Sequence, residues 1–342
     1  MPVTLKDIAQ KVGYSVTTVS RALTGYDDVA ESTRQIILKV ADELDYHPNI
    51  TARRLRKQST DTIGIVVPTY RTRFGDPFFS DFLAGVGNKA VEHGFDLLVS
   101  THPPGAGELD VYKRMVMEQR VDGMIVITTR PQDERIIYLI EQGFPFVAFG
   151  RSDLEMDFAY LDVDGEAGMR QATQHLIDLG HRRIAYISAP FDLMYAHHRL
   201  QGHKETLSDN DVPFDESLMV IGDLMERSGS ALARELLTRN KRPSAIMACN
   251  DWMASGVIGA VRELGMTVGR DVAVVGFDDV PLARLTHPQL TTVRQPAYDA
   301  GWRVCEMLIS SLQGDALEEP HLILQPQLIV RESCGAPASQ KK

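Results

Sequence analysis

The chain has 342 residues, 44% of them apolar and 24% charged, with a formal net charge of -10. That length exceeds one average domain and can bury a sizeable core, and the composition is ordinary for a water-soluble globular protein. Cys249, Cys305 and Cys334 lie far apart with no CxxC pair, which excludes a disulfide framework or zinc ribbon and suits a reducing cytoplasm. The opening MPVTLKDIAQKV lacks the apolar run of a secretory signal, and runs such as IGIVV are too short to span a bilayer. A cytoplasmic protein with no membrane partner is expected.

Charge is unevenly placed. Residues 1–58 hold nine Lys/Arg against seven Asp/Glu, a net of +2, so the remainder of the chain carries -12. A mildly basic head on an acidic body is a reason to look for nucleic-acid chemistry at the N-terminus.

The head reads as three short helices. In TLKDIAQKV, Thr4 and Asp7 form a capping pair, and Leu5, Ile8, Ala9 and Val12 fall at helical spacing. After Gly13-Tyr14, Ser15 caps a second helix with Val19, Ala22 and Leu23 inward, and Gly25 ends it. A third, from about Ser32 to Asp45, turns Ile36, Ile37, Val40 and Leu44 inward. Helix, tight turn, helix and supporting helix is a helix-turn-helix layout, assigned to residues 1–46.

Next, YHPNITARRLRKQST carries Pro48, several basic residues and a lone Leu55, and reads as a linker or conditionally folded hinge over 47–60. Beyond Asp61 the period switches. Strand candidates TIGIVVP, DLLVST, GMIVIT, FVAFG, RIAYIS, SAIMAC and DVAVVGF alternate with amphipathic helices such as FFSDFLAGVGNKAVEHG and WMASGVIGAVRELG. This predicts an α/β body of two successive doubly wound, parallel-sheet units. Ligands in such folds bind beyond the carboxyl ends of the strands. The tail is assigned to 331–342, and its end, GAPASQKK, is expected to be disordered.

With Val19, Ala22 and Leu23 inward, Thr17, Ser20 and Arg21 point outward, with Val16 and Thr18 near the helix start. A helix N-terminus offers free N–H groups to a phosphate, and small hydroxyl residues such as Ser15 allow close approach. In a major groove, Thr can bond a base edge and Arg can contact guanine or phosphate. A plain surface helix is the alternative, since Ser and Thr are common near caps.

TLKDIAQKVGYSVTTVSRALTG, then YHPNITARRLR, then TIGIVVP resembles the LacI/GalR family of bacterial transcription regulators, from about Thr4 to residue 330. The resemblance implies a homodimer on a near-palindromic double-stranded DNA operator. Thr4, Ser15, Thr18 and Ser20 are then candidate DNA contacts, Val16 and Thr17 occupy the operator-reading positions, and Arg21 is a more constant contact. It also implies that the linker becomes a helix on the operator and wedges Leu55 into the minor groove, with Asn49, Ala52 and Arg53 on that helix. Unstacking a base step costs a few kcal/mol, recovered by contacts on kinked DNA.

The body resembles a periplasmic sugar-binding protein whose two lobes, joined by three crossing segments, close on a small effector. The division implied is 61–163 plus 292–330 for one lobe and 164–291 for the other. Arg151, Asp164, Arg199, Asn250, Asp251 and Asp278 fall at strand ends or family effector positions, and Phe78, Phe79 and Trp252 offer ring faces. Carboxylates, amides and guanidinium groups suit paired hydroxyls. N-caps, surface charges and core aromatics are the alternatives. A planar Arg151, where a purine would favour an aromatic partner, leans towards a neutral glucoside or oligosaccharide.

Other signals lead nowhere. Gly85 and Gly87 sit inside a helix pattern without a GxGxxG, and His197, His198 and His203 have no acidic or cysteine partner at a metal-binding spacing. No GxSxG or HExxH occurs. The expectation is therefore a sugar-released repressor, without catalytic residues, metal or cofactor. A corepressor-dependent regulator answering to a purine or sugar phosphate is the second reading, and a stand-alone sugar-binding protein or NAD-dependent enzyme the third.

Overall fold

A computed structural model describes residues 3–46, 59–69, 76–103, 105 and 107–335. The chain divides into two compact units, Met1–Ser59 and Thr60–Lys342.

The first unit holds α1 (Leu5–Val12), α2 (Val16–Thr24) and α3 (Glu31–Glu43). The Thr4 N–H and Oγ1 both donate to Asp7 Oδ2 at 2.7 Å, holding the Asp7 carboxyl below its usual range. Ser15 Oγ accepts from the Thr18 N–H at 3.0 Å, and Gly25 ends α2 in the left-handed conformation, φ 80°. Ile8, Ala9, Val19, Ala22, Val29, Ile37 and Ala41 form the core, with Leu23, Val40 and Leu44 packed on it. Ile36, expected inward, is half exposed. The stripe of α3 runs through Ile37, Val40, Ala41 and Leu44, and Ile36 lies one residue off it.

The second unit contains two six-stranded sheets. In chain order it has β1 (Thr62–Pro68), α4 (Pro77–Glu92), β2 (Asp96–His102), α5 (Glu108–Met117), β3 (Gly123–Ile127), α6 (Glu134–Glu141), β4 (Phe146–Phe149) and β5 (Tyr160–Val163). There follow α7 (Gly165–Asp178), β6 (Ile184–Ser188), α8 (Met194–Asp209), β7 (Met219–Ile221), α9 (Glu226–Leu237), β8 (Ala245–Ala248), α10 (Asp251–Glu263) and β9 (Ala273–Asp278). The chain closes with α11 (Leu282–Leu285), β10 (Thr291–Arg294), α12 (Ala297–Gln313), β11 (His321–Leu324) and β12 (Gln327–Ile329).

The sheet orders are β11-β5-β4-β3-β1-β2 and β12-β10-β9-β8-β6-β7, parallel throughout except that β12 runs antiparallel to β10. Continuous apolar runs such as β1 and β3 are buried on both faces because helices cover each sheet. The chain crosses between sheets three times, after Val163, after Arg294 and after Leu324.

This topology moves the expected lobe boundaries. β10 and β12 belong to the second lobe, and only α12 and β11 of the stretch 292–330 return to the first. The tail expected from 331 also begins too early. Arg331, Ser333 and Cys334 are buried, and the Ser333 hydroxyl donates to the Val274 carbonyl at 2.6 Å. The remainder of the tail, 336–342, lies outside the described residues. Gly85 serves helix packing, since a Cβ there would stand 2.1 Å from the Tyr298 carbonyl oxygen of α12.

Candidate functional site

In the first unit, the start of α2 forms an exposed polar face. Ser15, Val16, Thr17 and Arg21 are exposed, Thr18 and Ser20 half-buried, while Val19 and Ala22 hold the helix to the core. Thr4 is exposed on its cap. Arg21 donates to Asp28 Oδ2 at 2.6 Å and lies 5.9 Å from the Tyr26 ring centre. Tyr14 and Tyr26, not singled out from sequence, stand exposed at either end of α2. Asn49, Ala52, Arg53 and Leu55 lie outside the described residues.

In the second unit, the carboxyl ends of the strands converge on a cleft between the two lobes. The first lobe supplies Phe78 and Phe79 from α4, Thr128 and Thr129 after β3, and Arg151 after β4. The second supplies Tyr195, His198 and Arg199 from α8, Asn250 after β8, and Asp278 at the end of β9.

Arg199 is held in place by several contacts. Its guanidinium donates to the Cys249 carbonyl, lies 3.8 Å from Asp278 Oδ1, and sits 3.7 Å from the Phe277 ring centre and 4.7 Å from that of Tyr195. Gln295 Nε2 donates to Asp278 Oδ1 at 2.6 Å. Across the cleft, Arg151 Nε donates to Asp162 Oδ2 at 2.7 Å. Burial outweighs that arginine and raises the Asp162 carboxyl above its ordinary range. Burial, helped by Arg151, lowers His198, so its ring is neutral at pH 7.

Two further observations mark this cleft. Arg151 Nη2, His198 Nε2 and Arg199 Nε are buried without a hydrogen-bond partner among the described residues. Three non-glycine residues in its lining, Thr128, Leu224 and Asp278, hold positive φ angles of 56°, 72° and 110°. Orphaned buried donors and strained backbone concentrate where a protein meets a ligand.

Six of the nine expected residues therefore meet here: Phe78, Phe79, Arg151, Arg199, Asn250 and Asp278. Asn250 is internally occupied, with Oδ1 accepting from the Met253 N–H and Nδ2 donating to the Leu224 carbonyl. Asp164, Asp251 and Trp252 do not line the cleft. Asp164 caps α7 at 2.9 Å and accepts from Gln325 Nε2, joining two of the crossings between lobes. Asp251 is fully buried and accepts from the Thr292 hydroxyl at 2.5 Å and the Val280 N–H at 2.9 Å, bracing the loop beyond Asp278. Burial and the nearby Asp278 raise its carboxyl well above the usual range. Trp252 is half-buried on the first turn of α10, away from the lining.

Sequence reasoning missed Asp76, Thr128, Thr129, Asp162, Tyr195, His198 and Gln295. Tyr195 and His198 flank Arg199 on one helix face, a signal available from spacing. Thr128, Thr129 and Gln295 follow short strands, Asp162 lies within β5 and Asp76 caps α4, and only the sheet registers bring these positions to the cleft. The three histidines have separate surroundings: His197 pairs with the Phe191 carbonyl, His203 with Thr173, and His198 faces the cleft. Among the described residues no group of three or more His, Cys, Asp or Glu is placed to hold a metal, and no helix is long and apolar enough to cross a membrane.

Comparison with known proteins agrees with both units. Residues 4–49 match the model of bacterial regulatory proteins of the lacI family, and residues 173–334 match a periplasmic binding protein-like domain. The HTH-type transcriptional regulator CelR of Thermobifida fusca is 37% identical over 333 residues, covering 96% of this chain and 98% of its own. A solved CelR–cellobiose complex is 35% identical with a TM-score of 0.75, covering 97% of this chain and 99% of that one. The lac repressor dimer bound to operator and the anti-inducer ONPF is 28% identical with a TM-score of 0.88, covering 98% and 100%. This chain belongs to the lacI family of bacterial regulatory proteins and is a DNA-binding transcriptional regulator.

Proposed function

We propose that the protein is a homodimeric repressor whose hold on a near-palindromic operator weakens when a neutral carbohydrate, a glucoside or short oligosaccharide, fills the cleft. The observation that carries this reading is the set of unpartnered nitrogens on Arg151, His198 and Arg199, opposite the Asp278 carboxylate and beside the Phe78 and Phe79 rings. A sugar hydroxyl both donates and accepts, so it satisfies guanidinium N–H groups and a carboxylate together, and ring carbons pack on aromatic faces. The cationic groups are already balanced by Asp162 and Asp278, which favours an uncharged ligand over a phosphate. The relative solved with cellobiose supports the same class.

In this reading Val16 and Thr17 choose the operator sequence and Arg21 anchors the head on it. The effector binds the closed arrangement of the lobes better than the operator-bound one, and shifts the population accordingly. One mildly basic head binds poorly, so useful affinity requires two heads.

The test is a thermal-shift screen with cellobiose, other neutral disaccharides, sugar phosphates and purines, since a ligand of the native state raises apparent stability by mass action. A gel shift on genomic fragments, with and without each hit, then reads operator release. Stabilisation by a neutral sugar that also releases DNA supports the proposal. Stabilisation only by a purine or phosphate, with tighter DNA binding, would establish the corepressor reading instead.

A further inference from the structure

The first lobe buries charges that do not line the cleft. Glu108 at the start of α5, and Asp133 and Arg135 at the start of α6, are all buried to about 1% exposure or less. Arg135 Nη1 donates to Glu108 Oε1 at 2.6 Å, and its Nε and Nη2 donate to Asp133 Oδ1 and Oδ2 at 2.8 and 2.6 Å. The Arg130 side chain donates to Glu108 Oε2, and its N–H donates to Asp133 Oδ2 at 3.0 Å. Desolvating such groups costs several kcal/mol per ion, and well-packed apolar residues often serve stability equally well. Stability alone therefore does not account for the arrangement.

What the arrangement reaches is the cleft wall. Arg135 Nη2 also donates to the Thr128 carbonyl at 3.0 Å, and Thr128 is a β-branched residue held at φ 56°. The next carbonyl, that of Thr129, leaves the lobe altogether and accepts the Met194 N–H at 2.9 Å. Met194 is the first residue of α8, the helix that carries Tyr195, His198 and Arg199 into the cleft. N–H groups in a first helical turn have no acceptor within their own helix. Thr129 of one lobe thus caps the ligand-facing helix of the other. Ser152, two residues beyond Gly150, steadies the same loop by donating to the Arg130 and Pro131 carbonyls at 2.8 Å.

We propose that Glu108, Arg130, Asp133 and Arg135 form a positioning device that holds the 128–129 turn so that the Thr129 carbonyl latches α8, setting the lobe closure on which the effector acts. The inference rests on reading the cleft as the effector site, although none of the four residues is among those lining it. They act through Thr128 and Thr129, and are positioning residues.

Site-resolved hydrogen exchange on the full-length protein without any sugar tests the latch. Arg135→Met and Glu108→Gln should each speed exchange of the Met194 amide by roughly tenfold, with Arg135→Lys in between, while β8 and β9 of the second lobe keep wild-type protection. Arg234→Ala, which removes a surface pair with Glu263 on the second lobe, should leave Met194 unchanged. Unchanged Met194 protection while residues 130–140 loosen would overturn the proposal. So would an equal loss of protection across both lobes, the signature of a merely structural role. If Arg135→Met does not fold, Glu108→Gln keeps the shape, removes one charge and carries the same test. The readout needs no effector, so a failed sugar screen would overturn the effector reading and not this one.

Discussion

The head and the body use charge in opposite ways. In the head, Lys11–Glu43 and Arg21–Asp28 are ion pairs whose side chains are about half exposed, and among the described residues the buried ones are all apolar. In the body, Arg135, Asp133 and Glu108 are buried together, Arg331 and Arg294 clamp the buried Asp279, and Asp251 lies fully buried under Thr292. Exposed pairs contribute about 0–1 kcal/mol because water competes for both partners. Arg21 is therefore easily released to an outside anion. Buried pairs are held by geometry, so in the body the informative groups are those left over once every internal pair is made. Arg151 Nη2, His198 Nε2 and Arg199 Nε are among such remainders, and the residues that carry these three line one cleft.

The comparison is broken most severely by unpairing a buried charge. Glu108→Ala strands Arg135 beside a single carboxylate and should cost about 3–5 kcal/mol, read by urea denaturation. A smaller loss at this site would show that water reaches the network.

Acid should act next. Burial lowers His203 from 6.5 to about 4, so the folded state holds it neutral while the unfolded chain protonates it. Its stabilising contribution is complete above pH 6.5 and is lost as the pH falls towards 4, about 3 kcal/mol in all. His203→Gln, which does not titrate, should flatten that part of the stability profile.

Asp278→Ala and Arg199→Ala each remove one side of the cleft's charged pair and should weaken effector binding by about 10- to 100-fold. Operator affinity should stay within about twofold. Induction retained in both variants would refute the cleft assignment. In the head, exchanging Val16 or Thr17 should alter which base pairs are preferred by about 1–3 kcal/mol each, measured by binding-site selection.

The smallest stability effect belongs to Arg21→Ala. Loss of its half-exposed pair with Asp28 should change head stability by less than about 1 kcal/mol, while DNA binding falls clearly. A large stability loss would place Arg21 with the buried charges of the body and dissolve the contrast.

Legibility in the sequence follows the same division. Ser15, Gly25 and the Val19–Ala22 stripe act over a few residues, so the second helix and its outward face could be read directly. TIGIVVP was legible as a strand because a short apolar run rich in β-branched residues and flanked by polar ones has few other uses. β10 and β12 were assigned to the wrong lobe because the pairing of β10 with β9, and of β12 with β10, is set by chain crossings that leave no local mark. Asp164 and Asp251 look as suitable for a ligand as Asp278 does, yet an N-cap and a buried loop brace occupy them.

By itself, then, the sequence determined the helix-turn-helix head, the alternating α/β body and the lacI-family kinship. These rest on periodicity, caps and short motifs whose causes lie within a turn or a strand. Only the tertiary structure decided which polar residues share the cleft, which are spent on internal partners, and that Thr129 reaches Met194 across the lobes. Those outcomes depend on residues tens to hundreds of positions apart converging within hydrogen-bonding distance, and a carboxylate's neighbours, not its identity, fix its role.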